Sequence, residues 1–292
     1  MAHDAVKHDY HLVNPSPWPL VGSIAATVMF IGAVIWMKGL FGLEKGTWAV
    51  FAGGFALMLY TFIGWWGDVI KEGRAGDHTP VVSIGLRYGM VLFIASEVMF
   101  FVAWFWIFFE MAIFHHSRTF SAIEEVRTAW STWPPAGVET LDPFHLPLVN
   151  TIILLLSGTT VTWAHHALQH GDTKGAKTGL LLTVLLGLLF TSVQAYEYGH
   201  IIHEKLFFSE NAANSGLYGS AFFMATGFHG FHVVVGTLFL IVCLLRLMAG
   251  NMTPQKHFGF EAAAWYWHFV DVVWLFLFAF IYVAFGGSGP HA

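Results

Sequence analysis

Residues 218–247 read YGSAFFMATGFHGFHVVVGTLFLIVCLLRL, and the only Asp, Glu, Lys or Arg among them is Arg246, one place from the end. As a helix the run would be about 45 Å long at 1.5 Å per residue, more than the roughly 30 Å of a bilayer's hydrocarbon core. Lipid offers no partner to backbone N–H and C=O groups, so such a segment is a helix or part of a closed barrel; a barrel strand needs only about 10 residues, and the length decides for the helix. Gly219, Gly227, Gly230 and Gly236 interrupt the apolar run. Small residues let backbones approach, so they predict packing against neighbouring helices.

Working outward, six more runs of similar character occur at Leu20–Met37, Thr47–Ile70, Gly85–Phe114, Leu148–His166, Gly179–Ile201 and Ala262–Phe285. Together they predict an all-α membrane protein with seven transmembrane helices, several long enough to tilt. The whole chain agrees: 56% of its residues are hydrophobic and 11% charged, with a mean hydropathy of +0.63. The predicted organisation is an N-terminal interfacial arm (1–19), two spans (20–71), an inner loop (72–84) and the remaining five spans (85–292), with an outer loop at 115–147. The short hinge before the third span separates two helical groups. The polar, His-rich start lacks the apolar stretch and cleavage site of a signal peptide and is expected to stay on the mature protein.

The net charge of −5 comes without a basic stripe, which argues against a nucleic-acid partner. A single cysteine, Cys243, rules out an internal disulfide and argues against a thiolate metal cluster. Lysine and arginine set the orientation. Lys7, Lys71, Arg74, Arg87, Lys174, Lys177, Arg246 and Lys256 fall on the side of the N-terminus, and Lys38, Lys45, Arg118, Arg127 and Lys205 on the other. The excess places the N-terminus inside and the C-terminus outside.

An ionisable group within a span costs about 2.5–3.5 kcal/mol at the helix centre on insertion scales, so each needs a reason. Glu97 lies deep in the third span, in Phe93-Ile94-Ala95-Ser96-Glu97-Val98-Met99. Desolvation favours its neutral form unless a cation or several donors reach it. Two readings stand: a neutral acid hydrogen-bonded to a neighbouring helix, or a proton-handling carboxyl. Among 17 histidines, His229 and His232 are three apart on one helical face, and His268 and Asp271 repeat that spacing. Such pairs ligate metals or act as hydrogen-bond glue between helices; without a second axial set in view, they are read as structural polar pairs and no metal is assigned. Trp18, Trp36, Trp48, Trp65, Trp66, Trp133, Trp265 and Trp267 fall near span ends, where anchoring at the headgroup level is expected. Beside Trp66, the inner loop carries Asp68, Lys71, Glu72, Arg74, Asp77 and His78, with Arg87 following. This cluster is either a lipid phosphate site or a solvated rim. No Walker loop, dinucleotide-binding turn, zinc-protease helix or nucleophile elbow is present, and no catalytic residue is assigned.

Four stretches resemble a known family. Gly85-Leu86-Arg87-Tyr88-Gly89-Met90 running into Ser96-Glu97-Val98, Thr162-Trp163-Ala164-His165-His166, Ala225-Thr226-Gly227-Phe228-His229-Gly230-Phe231-His232-Val233, and His257-Phe258-Gly259-Phe260-Glu261 through Trp274 are similar to subunit III of cytochrome c oxidase. The resemblance implies a two-helix and a five-helix bundle around a V-shaped, lipid-filled cleft. It also implies no cofactor in this chain beyond bound phospholipids, with haem and copper only in partner subunits: the catalytic subunit I, against which the chain packs, and subunit II. The implied role is to stabilise the catalytic subunit and support proton uptake while the complex oxidises cytochrome c with dioxygen and pumps protons. By the same resemblance Glu97 is the buried carboxyl of the third helix, and Trp66, His78, Arg87 and Arg246 contact lipid. Gly67 and Ile84 depart from animal relatives, which carry basic residues there, and the expanded outer loop resembles bacterial members. A bacterial inner membrane is therefore the expected location, with the mitochondrial inner membrane as alternative. Two other functions remain open: subunit III of a quinol oxidase, and a free-standing haem-binding or proton-coupled carrier using His229, His232, His268 and Glu97.

Overall fold

The computed structural model describes residues 9–120, 124–136, 138, 140–204 and 215–286. Among them the regular elements are helical: α1 (Trp18–Lys38), α2 (Ala49–Ala75), α3 (Pro80–Ile113), a 3-10 turn at His115–Phe120, α4 (Glu124–Ala129), α5 (Leu146–Gln169), α6 (Thr173–Glu204), α7 (Ser215–Met248) and α8 (Phe258–Phe276). The last continues as a π-helical stretch, Leu277–Ala284. Seven of these helices are long and apolar enough to cross a membrane, in agreement with the seven expected spans. Several run past the apolar stretches: α3 begins at Pro80, not Gly85, and α6 at Thr173, not Gly179. Hydropathy reads only the lipid-embedded part of a helix, and hydrogen bonding carries the coil on into the headgroup region. α2 ends on Gly76, whose φ of 97° is left-handed and suits a residue without Cβ. This leaves residues 76–79 to connect α2 to α3.

The chain divides into two units, Met1–Tyr88 and Gly89–Ala292, with the boundary inside α3. In the first unit, Gly32 lies against the backbone of Phe51, Gly54 against that of Met29, and Gly22 against Thr61. These pairs run in opposite order along the two helices, so α1 and α2 are antiparallel. A Cβ at Gly32 or Gly54 would fall on the partner's main chain, so glycine sets how closely the helices approach. The Trp18 indole donates to Asp68 Oδ2 at 2.7 Å, and the Thr79 hydroxyl donates to the Asp9 carbonyl at 2.6 Å.

In the second unit α5 packs on α6, α6 on α7, α7 on α8, and α8 back on α5. Large rings fill this core where small residues make room: Gly187 and Gly236 both lie against Trp267. Trp267 and Trp274 are fully buried, and each indole N–H finds an acceptor on α5, Ser157 Oγ for Trp267 and Thr151 Oγ1 for Trp274, both at 2.9 Å. The burial of Trp267 corrects the expectation of headgroup anchoring: its ring is core because its helix face points inward, whatever its distance from the span end. Trp133 is half-buried. It packs on Phe108 and Tyr218 and donates to the Phe285 carbonyl at 2.8 Å. With buried Trp130 it ties the outer loop to the helix ends.

Candidate functional site

Glu97 and His232 lie 135 residues apart, on α3 and α7. Their side chains meet with Oε2 to Nε2 at 2.8 Å, and they are 23% and 7% exposed respectively. The other nitrogen of His232, Nδ1, is 2.6 Å from the Phe228 carbonyl. A carbonyl can only accept, so Nδ1 carries a hydrogen. The bond to Glu97 then has two forms: a neutral acid donating to the Nε2 lone pair, or an imidazolium donating to a carboxylate. Either way one proton lies between the two residues. Phe100, Phe101, Tyr266 and Phe269 pack around the imidazole.

His268 and Asp271 on α8 form a looser pair. The Thr162 hydroxyl donates to the Gly158 carbonyl, so the His268 Nε2–H, 3.1 Å away, donates to the Thr162 oxygen. Nδ1 lies 3.4 Å from Asp271 Oδ2, an ion-pair distance when the imidazole is protonated. His229 has different partners from His232, although the two share a helix. Its Nε2 donates to the Val270 carbonyl at 3.1 Å, and its ring lies against Phe190 and Trp274. Among the described residues no group of three or more His, Cys, Asp or Glu is placed to hold a metal ion.

Of the residues assigned to lipid, Trp66, His78 and Arg87 belong to the first unit and Arg246 to the second. Trp66 is 64% exposed and stacks on Phe62 at 5.4 Å. His78 lies over Gly73, and Arg87 is exposed. Arg246 closes the last turn of α7, where a cation suits the helix dipole. Its Nη1 lies against Gly259, whose absent side chain leaves it room.

Sequence reasoning missed a second carboxyl. Glu197 of α6 is 3% exposed, and its Oε1 accepts a hydrogen bond from the Tyr282 hydroxyl at 3.2 Å. Beside it the Tyr198 hydroxyl meets Thr226 Oγ1 at 2.5 Å, and Gln194 donates to the Thr226 carbonyl at 3.2 Å. The rule that singled out Glu97, an acid inside an apolar span, applies equally to Glu197. Its neighbours Gln194, Tyr196, Tyr198 and His200 are polar as well, so within the span Gly179–Ile201 it did not stand out as Glu97 does among apolar residues.

Comparison with known proteins gives a consistent result. The family model described as cytochrome c oxidase subunit III matches residues 8–286. The zebrafish (Danio rerio) protein named cytochrome c oxidase subunit 3 is 52% identical over 283 residues, covering 97% of this chain and 98% of the relative. Proteins of the same name from Xenopus laevis and Arabidopsis thaliana are each 50% identical, over 97% and 96% of this chain and 98% and 97% of their own lengths.

Proposed function

The chain belongs to the cytochrome c oxidase subunit III family, and we propose that it is the subunit without a redox centre in a proton-pumping oxidase, stabilising the complex and supporting proton uptake. Membership makes it a multi-pass membrane component of an oxidase complex. The finer assignments are proposals. It packs against the catalytic subunit I, with subunit II in the same assembly; haem and copper reside in those partners. Cytochrome c, and not quinol, is taken as the electron donor because the relatives carry that name. The two-plus-five helix arrangement with a lipid-filled cleft, the N-terminus inside and a bacterial inner membrane complete the reading. Glu97 serves it as a proton-handling carboxyl, and Trp66, His78, Arg87 and Arg246 as phospholipid contacts.

The observation that carries this reading is how the span histidines are used. Both nitrogens of His232, and Nε2 of His268 and of His229, are engaged in hydrogen bonds within the protein. That favours a packing subunit over a free-standing haem carrier. The test is to remove this chain from the purified complex. Haem and copper per catalytic subunit should stay unchanged, while the number of turnovers before inactivation falls; metal lost in step with the chain would overturn the reading. Phospholipid retained by the intact complex should drop when Arg87 or Arg246 is neutralised.

A further inference from the structure

Glu197 has a feature that Glu97 lacks. Its second oxygen, Oε2, is buried with no hydrogen-bond partner among the described residues. If the acid is neutral, with its proton on Oε2, that proton needs an acceptor. If the acid is ionised, Oε2 needs a donor. A single small molecule that can both donate and accept answers either case, and water is the one that protein interiors use for this purpose. The surroundings make the same demand. The Tyr282 ring lies against Trp274, 5.9 Å between centroids, and Trp274 lies 5.0 Å from the ring of His229. The Nδ1 of His229 is a buried lone pair without a donor among the described residues. On α5 the Trp274 indole is held by Thr151. The preceding residue, Asn150, is fully buried with both amide atoms unpartnered among the described residues.

Helix geometry explains why the phenol reaches the acid. Tyr282 comes eight positions after Trp274; at 3.6 residues per turn it would be rotated roughly 80° from it. The π-helical stretch from Leu277 to Ala284 turns less per residue, bringing Tyr282 back to the face of Trp274 and onto Glu197. π-segments recur at functional sites.

We propose that Glu197 and Tyr282 form an internal water site in the 89–292 unit, in which an ordered water hydrogen-bonds Glu197 Oε2. The acid is then a hydrated group in contact with exchangeable protons. A map of the intact oxidase complex that resolves ordered water tests this directly: density within about 3.2 Å of Oε2 is expected. Glu197→Gln, whose amide both donates and accepts, should keep that density, and Glu197→Met should lose it. Should the Met variant fail to assemble, infrared spectroscopy of the other two complexes still decides. The carboxyl band present in wild type and absent in Glu197→Gln should shift on transfer to D2O. A protein atom packed against Oε2, or a protonated-acid C=O band indifferent to D2O, overturns the proposal.

Discussion

Glu97 and Glu197 are both acids inside transmembrane helices of one unit, yet their partners differ in kind. Glu97 faces an imidazole, a base whose other nitrogen is already committed to a carbonyl. Glu197 faces a phenol, which gives a hydrogen bond but is a very poor base. A proton can therefore sit on either side of the Glu97–His232 bond, whereas at Glu197 it stays with the acid or leaves by another route. Burial reinforces the contrast, with the Glu97 side chain 23% exposed and Glu197 3% exposed. What an intramembrane carboxyl can do is thus set by the chemistry across from it as much as by its depth.

The largest contrast should appear in labelling. A hydrophobic carbodiimide dissolves in lipid and attacks protonated carboxyls. It should modify Glu97 in the intact complex near neutral pH and leave Glu197 unmodified, as read by peptide mass spectrometry; equal labelling of both would erase the distinction. In His232→Leu the proton has no base to move to, so labelling of Glu97 should increase. Next in size is the stability of that variant. Removing His232 leaves a desolvated carboxyl without its partner, costing about 1–3 kcal/mol, visible as a lower thermal midpoint of the complex. An unchanged midpoint would mean that the 2.8 Å contact contributes nothing.

Tyr282→Phe should cost less. It removes the one protein donor to Glu197 among the described residues but keeps the ring against Trp274 and Phe222. A loss of about 1 kcal/mol is expected, because water at the neighbouring oxygen can take over the vacated position. A loss as large as that of His232→Leu would mark Glu197 as dry and close the gap between the two acids.

How much of this was legible in the sequence follows from the range over which each signal acts. The spans were legible because an apolar run such as 218–247 has one structural solution in lipid. Their ends were not, as α3 and α6 show, because helical hydrogen bonding continues where hydropathy stops. Glu97 stood out as a lone acid among Phe, Ile and Met. Its partner could not be read: His229 and His232 look equivalent at three-residue spacing, and only the packing of α3 on α7 separates the imidazole that meets an acid from the one that meets a carbonyl. Glu197 escaped because polar neighbours near the span end diluted the apolar signal. Tyr282 depends on a π-helical turn that the residues 277–284, LFAFIYVA, do not announce.

The smallest stability change, with the most to say about function, is expected for Glu97→Gln. The amide N–H₂ can donate to His232 Nε2 as the neutral acid would, so the bond between α3 and α7 persists and stability should fall by less than in either variant above. What disappears is the mobile proton, since an amide neither gives one up nor accepts one near neutral pH. A variant that assembles normally, resists the carbodiimide and inactivates after fewer turnovers would separate the proton from the bond and assign the former to function. If turnover lifetime matches wild type, Glu97 is a fastener between helices, and its difference from Glu197 is one of packing alone.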